Sequence, residues 1–169
     1  AYGHGAPECA RAALAGGAAS LAVASVEEAE QLRLAGIDDV TVLIMSPLTG
    51  PAGVRALRQR CEVAISDQAA LERLLAAAGE VGAAPRVHVE VDTGMGRLGT
   101  PVADAMALAE RAQAGGAEVV GLMTHFATAD VTDGPDAGFM REQLVRFRQL
   151  VPAFRERFPG ITVHAANSA

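Results

Sequence analysis

The sequence predicts an α/β fold on a parallel sheet, an incomplete (β/α)8 barrel of the TIM type with about six of its eight strands. Three observations predict it. Short runs rich in Val, Leu and Ile recur along the chain, as in a sheet covered on both faces. Helical patterns fill the gaps, and strictly alternating strands and helices argue for a parallel sheet. Strand starts recur roughly every 20–43 residues, near the ~30 expected from about 250 residues over eight units. Six units do not close a barrel; one further strand before Ala1 and one after Ala169 would. An open, doubly wound sheet also accepts six strands, so periodicity alone leaves both architectures standing.

The expected strands are Ala19–Ser25, Val40–Ser46, Glu62–Ser66, Arg86–Asp92, Val119–His125 and Thr162–Ala166. The helices carry their own start and stop signals. Pro7 sits near the N1 position of the first, and Gly16-Gly17 close it. Ser25-Val26-Glu27-Glu28 reads as a capping box in which the Ser25 hydroxyl accepts from the Glu28 amide and the Glu28 carboxylate returns to the Ser25 amide. That helix runs to about Gly36, with Ala29, Leu32 and Leu34 on or near its buried stripe. Asp67 caps a helix through Leu71, Leu74, Leu75 and Ala78. Thr100-Pro101 is expected to start another. The last helix, about Phe139 to Phe158, contains Pro152, which should kink or split it. Ala127–Gly138 is the long polar loop.

Composition bounds the function. The 169 residues suit one domain. A net charge of -6 gives no basic footprint for nucleic acid. The apolar runs are strand-sized, short of the ~20 residues a membrane span needs, and the first residues lack the charged start and apolar core of a signal peptide. Cys9 and Cys61 fit no metal or redox spacing and read as the reduced thiols of a cytosolic protein. All fourteen basic residues are Arg. Chemistry that needs a lysine amine must draw it from outside these residues.

In a β/α barrel, functional residues sit at the C-terminal ends of strands. Glu90, Asp92 and Arg97 follow the fourth strand; Thr124 and His125 end the fifth; Asn167 and Ser168 end the sixth; Tyr2 and His4 lie in a glycine-flanked turn. Along the fourth strand Val87, Val89 and Val91 alternate with His88, Glu90 and Asp92, so the polar three share one face. A buried carboxylate there needs a partner, and Arg97 is the nearest cation; a purely structural ion pair lining the barrel fits the same residues. Gly94-Met95-Gly96-Arg97-Leu98-Gly99 also spells G-x-G-x-x-G after a strand. The dinucleotide fingerprint, however, needs an acidic residue at the end of the next strand, and this one ends in Thr124-His125.

Four segments taken together resemble one family. Ala1-Tyr2-Gly3-His4-Gly5 resembles the A-Y-G-H-G segment of alanine racemases, just after their cofactor lysine. Val91-Asp92-Thr93-Gly94-Met95-Gly96-Arg97-Leu98-Gly99, Thr124-His125-Phe126-Ala127 and Asn167-Ser168-Ala169 resemble three further segments of that family, in order across the whole chain. The resemblance implies the N-terminal barrel of a pyridoxal-5'-phosphate enzyme that interconverts L- and D-alanine for peptidoglycan, cytoplasmic and homodimeric, with a β domain following the barrel. It implies that Tyr2 and Ser168 hydrogen-bond the cofactor phosphate, with Asn167 beside them near the ring. The bland alternatives are a capped turn for Tyr2, a helix N-cap for Ser168 and a turn residue for Asn167. Arg97 matches an arginine near the cofactor's phenolic oxygen and the substrate carboxylate. His125 matches a histidine that buttresses an arginine at the ring nitrogen; its alternative is a satisfied barrel histidine. Met45 matches an apolar ring contact only loosely.

Two departures carry consequences. Glu90 stands where some members carry a lysine modified to a carbamate, so Glu90 is expected to offer Arg97 a negative charge directly. The family's cofactor lysine falls just before Ala1, and its opposing tyrosine in the later domain of the second subunit. These residues alone are therefore expected to be inactive. A phosphate- or cofactor-binding module without activity, and a dinucleotide-binding oxidoreductase domain, are the readings that compete.

Overall fold

The computed structural model describes residues 3–49, 51–134 and 136–167. The chain divides into two compact units, one running up to Ala64 and resuming over Glu72–Arg86, the other comprising Ile65–Leu71 and the chain from Val87 onward.

The first unit begins with α1 (Ala6–Ala15), which has Pro at its first turn and Gly16 at its C-cap. Strand β1 (Ser20–Val23) then leads to α2 (Val26–Leu34), β2 (Thr41–Ile44), the seven-residue α3 (Ala52–Arg58) and β3 (Glu62–Ile65). The strands pair in parallel, β1 with β2 and β2 with β3. Their side chains build the core: Val42 and Ile44 are wholly buried, as are Ala29 and Ala56 from the helices. Ser25 caps α2 by accepting from the Glu28 amide at 3.3 Å. The returning Glu28 carboxylate reaches one residue further back than the capping-box pattern specifies, to the Ala24 amide at 2.7 Å. On α2 the buried stripe is Val26, Ala29 and Leu32, whereas Leu34 is 88% exposed. Leu34 is thus not a core residue: it lies two positions from Leu32, about 200° around the helix.

Helix α4 (Gln68–Val81) begins in the second unit and continues into the first. As expected, the Asp67 carboxylate accepts from the Ala70 amide at 2.7 Å.

The second unit holds β4 (Arg86–Asp92), which starts on the last residue of the first unit, then β5 (Thr100–Pro101), α5 (Ala105–Ala114), β6 (Glu118–His125), α6 (Phe139–Arg157) and β7 (Thr162–Ala166). Here β6 lies between β4 and β7, and β5 pairs in parallel with β4. Val87, Val89 and Val91 are 0–1% exposed. All six predicted strands are present. Thr100-Pro101 does not open a helix: the two residues form β5, a single 3-10 turn follows over Val102–Asp104, and α5 starts only at Ala105. Pro101 is extended (φ -53, ψ 145), which suits a short edge pairing because proline has no amide proton for a ladder. Pro152 does not split the last helix, which runs unbroken for 19 residues.

Candidate functional site

The loop after β4 is folded by its own polar and glycine residues. The Asp92 carboxylate at the strand end accepts from the amides of Gly94 (2.8 Å) and Gly96 (3.1 Å). Gly94 and Gly99 have φ of 139° and 106°, values that residues with a Cβ rarely adopt. At Gly99 a Cβ would also stand 2.5 Å from the Asp92 amide nitrogen. The glycines therefore serve a reversal that brings Thr100-Pro101 back beside Val91-Asp92. A dinucleotide fingerprint needs its glycines to open a helix, and five residues separate Gly99 from Ala105 where α5 begins.

This loop carries Arg97. Its side chain is exposed and makes no hydrogen bond or ion pair among the described residues. Its charge is nevertheless felt by two neighbours. Glu90, 5% exposed on β4, has its carboxyl pushed up to about 6 by burial, against the pull of Arg97 and with a further upward push from Asp92. His125, half-buried at the end of β6, is held below its ordinary pKa by burial and, secondarily, by the Arg97 guanidinium. Arg97, Glu90 and His125 thus form one electrostatic group. In the β6–β7 register His125 stands opposite Ala166, and the Phe126 amide donates to the Ala166 carbonyl at 3.0 Å. Half-buried Asn167 follows immediately. Met45 belongs to the first unit, just past β2, where its amide donates to Val23 at 2.9 Å. Tyr2 and Ser168 lie outside the described residues.

Behind these strand ends is a buried polar network that sequence reasoning missed. Gln143 of α6 is 0% exposed. Its Nε2 donates to Thr93 Oγ1 and to the His125 carbonyl, both at 3.2 Å, and its Oε1 accepts from the Ala127 amide at 2.9 Å. Thr124 Oγ1 lies 2.8 Å from Thr93 Oγ1 and donates to the Val91 carbonyl at 2.8 Å. Arg146, one turn along α6, donates to the Thr93 carbonyl at 2.7 Å. The available signal was a glutamine at position i of an i, i+4 pair with Phe147, on the stripe that α6 buries.

A second device sits deeper in the same sheet. His88 on β4 and His164 on β7 meet ring to ring, Nδ1 to Nε2, at 2.9 Å. The strand between them carries Gly121 at that level, and a Cβ there would stand 2.0 Å from His88 Nδ1. Arg97 also lines a cleft of about 440 Å³ with Ser66, Thr100, Asp104 and Arg111. Among the described residues there is no cluster of three or more His, Cys, Asp or Glu able to hold a metal, and no helix long and apolar enough to cross a membrane.

The family model described as "Alanine racemase, N-terminal domain" matches residues 1–169. The chain is 39% identical over 174 residues to the alanine racemase of Treponema pallidum, covering all of this chain and 46% of that protein. It is 41% identical to the alanine racemase of Frankia casuarinae, covering 99% of this chain and 44% of that protein. Among solved structures it matches the alanine racemase of a D-cycloserine-producing Streptomyces lavendulae, with a TM-score of 0.86 and 40% identity over 99% of this chain and 44% of that one. The alanine racemase of Bacillus anthracis solved with bound L-Ala-P matches with a TM-score of 0.82 at 27% identity over 99% of this chain and 43% of that one. The chain thus spans about half the length of the relatives it matches, and its fold is their parallel β/α barrel, incomplete here. Parallel strands alternating with helices, the loop chemistry after β4 and a family match over every residue lead to one statement: this chain belongs to the alanine racemase N-terminal domain family.

Proposed function

We propose that the chain is the cofactor-binding part of a pyridoxal-phosphate-dependent racemase that interconverts L- and D-alanine. The observation that carries this reading is the family match over every residue, supported by Arg97 in the loop after β4 helping burial to lower the pKa of His125 at the end of β6. The donor set fits the group. An exposed guanidinium with no hydrogen bond or ion pair among the described residues suits an oxyanion, which its planar fork can hold bidentately. Imidazole and amide groups at the neighbouring strand ends add directed hydrogen bonds without adding negative charge.

When bound, pyridoxal phosphate draws electrons from the amino-acid Cα and so weakens the bond to its proton. Arg97 would hold the ring's phenolic oxygen and the substrate carboxylate. His125, with its pKa depressed, stays neutral at working pH and would buttress the arginine at the ring nitrogen, which lies beyond Ala169 in the family pattern. Tyr2 and Ser168 would bind phosphate, with Asn167 beside them and Met45 against the ring. Glu90 would present negative charge toward Arg97 in place of a carbamate. Proton removal and return require a lysine and a second tyrosine on opposite faces; these residues include no lysine, and their one tyrosine, Tyr2, is assigned to phosphate. Alanine as substrate, a homodimer, the cytoplasm and a role in cell-wall supply belong to the same reading.

Full-length protein mixed with pyridoxal phosphate should develop a visible band that borohydride abolishes, and should racemise L-alanine by polarimetry. Absence of both would refute the reading.

A further inference from the structure

We propose that Gln143 is a positioning residue for the Arg97–His125 pair: one carboxamide fixes the loop bearing Arg97 and the strand end bearing His125 in a single arrangement. The proposal rests on the racemase reading for its functional consequence, and on geometry for the rest.

The proton directions in this network are determined. Backbone Ala127 N–H can only donate and backbone His125 C=O can only accept, so the amide orientation of Gln143 follows from its surroundings. Both Nε2 hydrogens are then committed, one to His125 O and one to Thr93 Oγ1. The only hydrogen on Thr124 Oγ1 goes to Val91 O, a pure acceptor. The Thr93 hydroxyl must therefore donate to Thr124 Oγ1 while it accepts from Gln143. The result is a one-way chain from Gln143 through Thr93 and Thr124 to Val91. It links α6, the first residue of the Arg97 loop, the end of β6 and the β4 backbone, and no member is left to rotate freely.

Thr93, Thr124 and Gln143 are each at most 2% exposed. Water cannot replace a lost partner there without first opening the site, so removing one link leaves the others unsatisfied. Arg97 is four residues past Thr93 on a loop otherwise closed by Asp92 and glycine turns. His125 directly follows Thr124 and gives its own carbonyl to Gln143. Movement at Gln143 thus reaches both functional side chains at once. A carboxylate at this position cannot donate at all, so glutamate is not a conservative replacement until protonated.

The test uses the full-length protein with Gln143→Met, close in size but unable to hydrogen-bond, and Thr93→Val, which cuts the chain at its middle and leaves α6 untouched. Isotope-labelled histidine NMR follows the His125 titration, its resonance assigned by loss in His125→Gln. Loss of burial at His125, and secondarily a weaker field from a displaced Arg97, should move the His125 midpoint upward in both variants, and kcat/KM for L-alanine should fall about 10- to 100-fold, as expected for a misplacement near 1 Å. Gln143→Glu should regain part of the lost activity on acidification. A merely structural role would lower Tm and leave the His125 midpoint in place. An unmoved midpoint in whichever variant folds overturns the assignment, whatever the loss of stability. Absence of racemisation by the wild-type protein would sink the racemase reading alone, because the titration is read without substrate.

Discussion

The two units treat polar groups in opposite ways. In the first, the conspicuous charges are on the outside of helices. Arg55 of α3 bonds Glu27 at 2.7 Å and also Glu30, both on α2. Arg33 spans the turn after α2, donating to the carbonyls of Ile37, Asp38 and Val40. These contacts secure connections, and the one buried carboxylate among this unit's described residues, Glu62, is paired with Arg86 at 2.9 Å. In the second unit, polar side chains occupy the interior: His88, Glu90, Thr93, Thr124 and Gln143 are all buried. Interior polarity costs stability unless it is satisfied. The fold carries it on β4 and β6, and not on β1 and β2, beside the proposed site.

The largest effect is expected at Gly121. Gly121→Ala should destabilise by about 3 kcal/mol or more in urea unfolding, since the methyl group overlaps the His88 ring and core overpacking costs that order. A variant as stable as the parent would mean that the His88–His164 contact is not a fixed part of the second unit.

Glu90 gives the next effect, with a definite sign. Its folded pKa of about 6 lies above the ordinary carboxyl value of 4.5. The native state therefore holds the proton more tightly, and stability falls as pH rises from 4.5 through 6. The loss is about 2 kcal/mol by linkage and is complete above that window. Glu90→Gln should flatten this part of the pH–stability curve. In the full-length enzyme it should also raise KM for alanine; unchanged KM and cofactor affinity would end the proposed role beside Arg97.

Thr128 sharpens the contrast from the other side. Its Oγ1 is the one buried side-chain polar atom without a hydrogen bond among the described residues. Thr128→Val should be neutral or stabilising by up to about 1 kcal/mol, and clear destabilisation would show that the hydroxyl has a partner. The smallest effect belongs to Arg55→Ala in the first unit. Whatever stability it loses in dilute buffer should vanish near 1 M salt, because exposed pairs are screened. A salt-independent loss would place Arg55 among the buried contributors.

Much of this was legible in the sequence because it is local. Strands announced themselves as Val/Leu/Ile runs, and the Ser25 and Asp67 caps act within three residues of themselves. Leu34 and Thr100-Pro101 misled for a related reason. Helical phase decides whether a leucine is buried, and a proline after a loop fits a strand edge as well as a helix start. The Gln143 network and the His88–Gly121–His164 contact were illegible because their partners are 16 to 76 positions apart, and only strand order brings them together. Arg97 and His125 were singled out only through family resemblance; spacing alone offered an ion pair and a barrel histidine.

Arg97 and His125 are proposed to serve one amino-acid and cofactor site. Arg97 is exposed and makes no hydrogen bond or ion pair among the described residues, so Arg97→Met should leave the Tm of the full-length protein unchanged. Pyridoxal-phosphate-dependent racemisation of L-alanine by that variant should fall in kcat/KM by about 100-fold or more, the order expected when a preorganised charge is removed. Racemisation at the wild-type rate by Arg97→Met would contradict the account.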